Sequence, residues 1–448
     1  MDQIEKKIVE IIEAHREEII AIGTDIFNHA ELGYKEYRTS ELFCKHMEKL
    51  GVETEKNLAV TGVKGYLNGK EGKDGPTVAV IGELDALPIK DSPYSNPETG
   101  ASHSCGHNAQ MAAVMGAAFA LCDEEVRSAM DGNIVFFAVP AEEYVEIEFK
   151  NGLMKEGLIG YGGGKCELIR VGAFDDIDIA LGHHANTEHD AYIMNNRSNG
   201  FLSKIVRYKG KSAHAAGAPF DGVDALNAAM LGMQAITAQQ ESYRDCDNVR
   251  VHGFISEGGE AMNIIADRTT LEYSVRANNI PAIENANEKF DRAARSGAVA
   301  TGCGVEIVTM PGYLPTIPVN NVRALEETLK EFEGEYEIAH MDPDFCMGGS
   351  TDFGDVSQIM PLLQFCTGGF SDILHDKNLH PINEDVAYVL PAKIFALTAY
   401  KLLKNQAEYA KELLEGFKPL LTKEQYIEFM DGHNQTEEIP MAPLKHKL

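Results

Sequence analysis

The 448-residue sequence predicts an α/β protein with a mostly parallel, buried sheet and an α+β insert. Three observations lead there. Short apolar runs of strand length, "TVAVIGELDALP", "NIVFFAVPAEE", "DIDIALGHHA" and "PLLQFCTGG", are separated by helical patterns such as "MAAVMGAAFAL". Continuous apolar strands divided by helices are how a sheet covered on both faces reads. From about residue 196 to 310 the texture changes to half-exposed alternation, and after it the parallel pattern resumes. The expected division is therefore a first domain in two parts, 1–195 and 311–448, the latter ending in a C-terminal extension, around an insert at 196–310.

Taken in chain order, Ile4, Ile8, Ile11, Ile12 and Ile19 recur at helical spacing, so an amphipathic helix opens the chain. Three of the four apolar runs then end in ligand-capable residues: Glu83 and Asp85, Glu142 and Glu143, His183 and His184. In open α/β sheets, ligands gather beyond the carboxyl ends of the strands, so these groups share one edge. In the insert, "FLSKIVRYKG", "NVRVHGFIS", "TTLEYSVRAN" and "GVEIVTM" alternate as antiparallel strands do. "GVDALNAAMLGMQAITA" and "IENANEKFDRAARSGAVA" are helical. The order strand, helix, two strands, helix, strand is ferredoxin-like. The last forty-odd residues read as helical and then irregular, ending in a tail, "EEIPMAPLKHKL".

A formal net charge of -29 argues against nucleic-acid or anionic-membrane partners, which need basic surface. The N-terminus carries charges through every turn and no later apolar run approaches the ~20 residues of a membrane span, so the expected location is cytoplasmic. Eight cysteines with no CxxC pair fit a reducing compartment.

The chemistry starts at "ASHSCGHNAQ". A lone cysteine is usually packing only, but Cys105 is followed two residues on by His107 on a loop before a helix. Such a pair can present a thiolate and an imidazole to one borderline-soft divalent metal. A nucleophilic Cys-His dyad competes; it needs no carboxylate cluster, and this sequence supplies one. Most Glu-Glu pairs are solvated, yet Glu142 and Glu143 leave a buried strand in different directions, so one can bind metal while the other faces a water. "LGHHANTEHD" adds His183, His184 and His189, and "SDILHDKNLHPINEDV" adds His375 and His380. "GKSAH" is no phosphate loop, since Ile205 stands where glycine is needed. HExxH and GxSxG are absent.

In order, "DALP", "SHSCGHN", "PAEE", "GKSAHAAGAPFDGVDALNAA", "GGEAMNIIADRTTLEYSVRA" and "GGSTDFGDVSQIMP" resemble the motifs of the aminoacylase and carboxypeptidase metallohydrolases, the M-twenty peptidase family. They are most similar to its amidohydrolase branch of aminobenzoyl-glutamate hydrolases, aminoacylase-like dipeptidases and auxin-conjugate hydrolases. The resemblance runs from residue 30 to 386. It implies a zinc-peptidase-like α/β sandwich as catalytic domain, two divalent metal ions per chain (zinc or manganese), and a lid that makes a homodimer. By it, Cys105, His107, Glu143, His184 and His375 are metal ligands, with His380 the alternative to His375, and Glu142 is the general base. His214 polarises the scissile carbonyl, from the partner subunit in many relatives, and Asn263 and Arg276 bind the substrate carboxylate. The implied reaction is hydrolysis of the amide between an acyl or aminoacyl group and an amino acid with a free carboxylate. A non-catalytic metal-containing relative that binds such molecules or a protein partner is the alternative. The sequence departs from many relatives at Asn108 and Gln110, and in a stretch at 144–161 after "PAEE".

Overall fold

The computed structural model describes residues 1–443; the end of the expected tail, 444–448, lies outside the described residues. Its strands in chain order are β1 (Glu53–Leu58), β2 (Gly62–Tyr66), β3 (Thr77–Glu83), β4 (Asn133–Val139), β5 (Ile179–Ala185), β6 (Ala191–Ile193), β7 (Arg197–Ser198), β8 (Gly200–Lys209), β9 (Arg250–Glu257), β10 (Arg268–Ala277), β11 (Gly304–Pro311), β12 (Ile338–Ala339), β13 (Cys346–Met347), β14 (Leu362–Thr367) and β15 (Gln435–Ile439). The described chain divides into two units: Met1–Asn196 with Ile317–Phe345 and Asp355–Lys423, and Arg197–Thr316 with Cys346–Gly354 and the segment from Glu424 onward.

The first unit holds an eight-stranded sheet in the order β1-β2-β4-β3-β5-β14-β6-β12. Its four central strands, β4, β3, β5 and β14, are parallel, and all four come from the apolar runs of the sequence. The helix His107–Leu121 is apolar on every side and buried along almost its whole length, as a helix packed all round must be. It packs against β3 and against the helix Leu390–Gly416. That second helix lies in a stretch, Asp385–Gly416, long and apolar enough by length and composition to cross a membrane, contrary to the sequence expectation, although its backbone breaks from helical geometry at Lys404–Ala407. Its apolar window is wholly buried, so the hydrophobicity is that of a core helix. The opening helix is in fact two, Gln3–Ala14 and Arg16–Asn28, broken at His15, whose ring stacks on Phe119.

One ion-pair cluster ties the N-terminus to the core helix. Glu5 Oε1 accepts from Lys401 Nζ at 2.7 Å and Lys404 Nζ at 2.8 Å, and its Oε2 accepts from Asp2 N in a capping box. Glu5 and Lys401 are both buried. Burial would raise the Glu5 carboxyl, but the two lysines outweigh it and hold it down to about 2. Glu5→Gln should destabilise the protein by about 3 kcal/mol at neutral pH, because it strands a buried ammonium. A depressed carboxylate stabilises above its unfolded value and loses that contribution as pH falls through the folded one. The gap between wild type and variant, read by denaturant melts, should therefore close from about pH 5 toward pH 2.

The second unit is built on an antiparallel sheet, β15-β11-β8-β10-β9, with the helices Ala225–Thr237 and Ile280–Thr301 packed on it and on each other. The element order from β8 to β11 is the ferredoxin-like one. Leu271, Tyr273 and Val275 of β10 enter the core while Glu272, Ser274 and Arg276 alternate outward, half-buried. The C-terminal segment differs from expectation: from Glu424 it belongs to this unit, and 435–439, expected to be irregular, is the edge strand β15 paired with β11. Its charges find partners there, Glu437 on Arg295 and Glu438 on Lys209, so a segment of poor strand character is held by its neighbours.

Candidate metal centre

The chemistry of the first unit collects where β3, β4 and β5 end. Glu83 closes β3 and Asp85 follows it; after β4 come Glu142 and Glu143; His184 lies near the end of β5. Asp85 holds two of these loops together: its Oδ1 and Oδ2 accept from the backbone N–H of Glu142 (3.1 Å) and Glu143 (2.8 Å). The turn before them passes through Ala141 at φ 50°, a left-handed conformation unusual for alanine, and Ala141 N donates to the buried Glu36 Oε1 at 2.8 Å.

Cys105 and His107 flank Gly106, which caps the helix His107–Leu121 at φ 79°. A Cβ there would stand 2.4 Å from the Ala185 Cβ, so only glycine lets this loop approach the end of β5. That approach sets Cys105 Sγ 3.4 Å from His184 Nε2. His184 Nδ1 faces its neighbour's carbonyl, Ala185 O, at 2.8 Å, and His107 Nδ1 faces Asp85 O at 2.9 Å. With Nδ1–H donating in each ring, Nε2 carries the lone pair. His107 Nε2 lies 3.1 Å from Glu83 Oε2 and 3.9 Å from Glu142 Oε2. The loop after β14 brings His375, itself left-handed at φ 70° and tied by its N–H to Ser104 O at 2.6 Å. Its Nε2 is 3.3 Å from Cys105 Sγ and 3.5 Å from Glu143 Oε1.

Three ligand groups result, each with donor atoms within 4.8 Å of one another: Cys105, His107, His184; Cys105, Glu143, His375; and Glu83, His107, Glu142. Two of them share Cys105. His107 Nε2 and Glu143 Oε1 are buried without a hydrogen-bond partner. Burial pushes the Glu143 carboxyl up to about 7 against the pull of His107, and pushes the Cys105 thiol up as well. Glu83, Asp85, Glu142 and Glu143 are all buried in one place, and a buried lysine, Lys165, sits on Glu83 at 2.5 Å. Orphaned lone pairs amid crowded buried acids, with thiolate, imidazole and carboxylate donors, fit divalent cations.

The remaining candidates lie elsewhere. His183 turns into the core, its Nε2 on Thr367 Oγ1 and its ring between Phe365 and Phe395. His189 meets Glu337, and His380 bonds Ser371 Oγ and packs against Tyr94. His214, Asn263 and Arg276 belong to the second unit. There His214 is bridged to Ile264, beside Asn263, and its Nδ1 accepts from the N–H of Ala216 and Gly217. Arg276 donates to Ser350 Oγ at 2.8 Å and lies over Phe201.

Sequence reasoning misses the support of the centre. Glu83 is gripped by Lys165 and by Gln110 Nε2 at 2.6 Å, so Gln110 serves a carboxylate. Asn108 donates to Tyr388 OH. The stretch at 144–161 contains a helix, Ile147–Lys155, whose buried Lys150 donates to Glu143 O at 2.6 Å. The glycine run "GGGK" that ends in Lys165 is the available signal, but its glycines lack phosphate-loop spacing and do not mark the lysine as buried.

The profile of Peptidase family M20/M25/M40 matches residues 79–400. The Xaa-Arg dipeptidase of Homo sapiens is 30% identical over 366 residues, covering 77% of this chain and 73% of that protein. A p-aminobenzoyl-glutamate hydrolase chain of Escherichia coli is 27% identical over 347 residues, 74% of this chain and 66% of that one. In fold, the chain is like a dinuclear metal binding peptidase of the M20 family from Bacillus subtilis, with a TM-score of 0.61 at 20% identity over 87% of this chain and 99% of that one. With almost three quarters of its length inside the family profile, and the carboxylate, imidazole and thiol donors gathered at the ends of β3, β4 and β5, this chain belongs to Peptidase family M20/M25/M40 and is a hydrolase of amide bonds.

Proposed function

We propose that the centre binds two divalent metal ions through Cys105, His107, Glu143, His184 and His375, with Cys105 shared between them, and that Glu142 is the general base. The chain is a metal-dependent amidohydrolase acting on acyl- or aminoacyl-amino acid bonds. The observation that carries the ligand reading is that two three-residue groups meet at Cys105 and neither includes Glu142. The donor set suits zinc or manganese.

Bound divalent ions supply Lewis acidity, lowering the pKa of water and polarising a carbonyl. Glu142 takes one proton from the attacking water as its oxygen bonds to the carbonyl carbon, and delivers that proton to the leaving nitrogen as the C–N bond breaks. Asp85 keeps Glu142 and Glu143 in place through their backbone. Arg276 and Asn263 take the carboxylate of the leaving amino acid, for which a planar guanidinium is suited. The test is a screen of N-acyl amino acids, aminobenzoyl-glutamate and dipeptides on metal-loaded protein. Hydrolysis that stops on chelation and returns with added metal is expected; turnover indifferent to chelation would defeat the reading.

The second unit is proposed to form a homodimer. What supports this is the edge position of β9, whose Phe254 and Ile255 are exposed, a strand edge a second copy would cover. His214 then acts on the partner's substrate. Mixing inactive Glu142→Gln chains with inactive His214→Ala chains should restore part of the activity after subunit exchange. No recovery would leave His214 acting within its own chain or not at all.

A further inference from the structure

The register of the second unit sets two arginines directly opposite each other. Arg276 on β10 pairs with Arg250 on β9, and opposed residues of an antiparallel pair project on the same face. It is the face turned away from Leu271, Tyr273 and Val275 of the core. Like charges so placed destabilise a sheet, and a guanidinium does not relieve the repulsion by giving up its proton. The chain has 69 acidic residues against 40 lysines and arginines, yet among the described residues Arg250 makes no ion pair. Its Nη1 donates only to the neighbouring Val249 O at 3.0 Å.

One row along the same face, Ser274 stands opposite His252 on one side and Ser203 on the other. Both serine hydroxyls are buried without a hydrogen-bond partner, and Ser203 is 1% exposed. Arg250 and His252, with Arg244, Tyr243 and the acidic Asp245, line a cavity of about 640 Å³, and Arg276 and the two serines lie outside its walls. Two guanidiniums in register on one face suit a ligand rich in anionic oxygens.

We propose that Arg250 recognises a second carboxylate, so that the amino acid released by this enzyme has an acidic side chain, glutamate or aspartate. This rests on the reading in which Arg276 takes the α-carboxylate. An arginine leaving group, as in the name of the human relative, would be repelled here.

The experiment compares kcat/KM for N-acyl-glutamate, N-acyl-glutamine and N-acyl-arginine on the metal-loaded full chain. Glutamate should exceed its neutral isostere by about tenfold, the scale of one charge-assisted bond. Arg250→Gln should erase that margin by slowing the glutamate substrate while leaving glutamine within about twofold, and Arg250→Lys should restore part of it. Arg276→Gln should slow both. An unaltered margin in Arg250→Gln, equal losses on both substrates, or a wild-type preference for glutamine or arginine would overturn the proposal. If no acyl-amino acid is turned over, the reading of the site fails by itself. Calorimetric titration of wild type and Arg250→Gln with free glutamate and glutamine still decides this inference: tighter glutamate binding that depends on Arg250 supports it, and equal binding sinks it.

Discussion

Glu142→Gln is expected to lower turnover by about three orders of magnitude while both metal equivalents stay bound. The reason is positional. Glu142 leaves β4 beside Glu143, its N–H held by Asp85, but its Oε2 is 3.9 Å from His107 Nε2 and it joins neither group that contains Cys105. Glutamine keeps the size and the hydrogen bonds to the backbone and removes only the ability to carry a proton. Elemental analysis and steady-state rates on the same preparation check this. Metal lost along with activity would make Glu142 a ligand, and near-normal rates would remove it from the mechanism.

The second large effect separates His375 from His380. His375→Ala should strip metal and abolish activity, because its Nε2 faces both Cys105 Sγ and Glu143 Oε1. His380→Ala should keep the metal and cost about tenfold or less, since that ring is spent on Ser371 and the face of Tyr94. Metal content of the two purified variants decides; the reverse ranking would transfer the role to His380.

Much of the fold and centre is legible because buried parallel strands carry a signal of their own. β3, β4, β5 and β14 are continuous apolar runs, and a polar residue straight after such a run has few places to be except the sheet's carboxyl edge. That logic locates Glu83, Asp85, Glu142, Glu143 and His184 without knowledge of any contact. It cannot find their supports. Lys165 meets Glu83 across 82 residues of sequence, and nothing local marks that lysine as buried. Ala141 and His375 adopt left-handed backbone that glycine or asparagine would have advertised. The pairing of Arg250 with Arg276 depends on strand register, which alternation alone leaves open. β15 is invisible for a different reason: "QTEEI" has no strand pattern and is a strand only because β11 and two cations receive it.

The most direct measurement is a metal titration of the chelator-stripped chain, read by hydrolysis of an N-acyl amino acid. Stripped protein should be inactive, and activity should rise with added zinc or manganese and saturate at two equivalents per chain, as expected if two ligand groups share Cys105. Turnover by the stripped chain, or saturation at a single equivalent, would contradict a two-ion centre built on that thiolate.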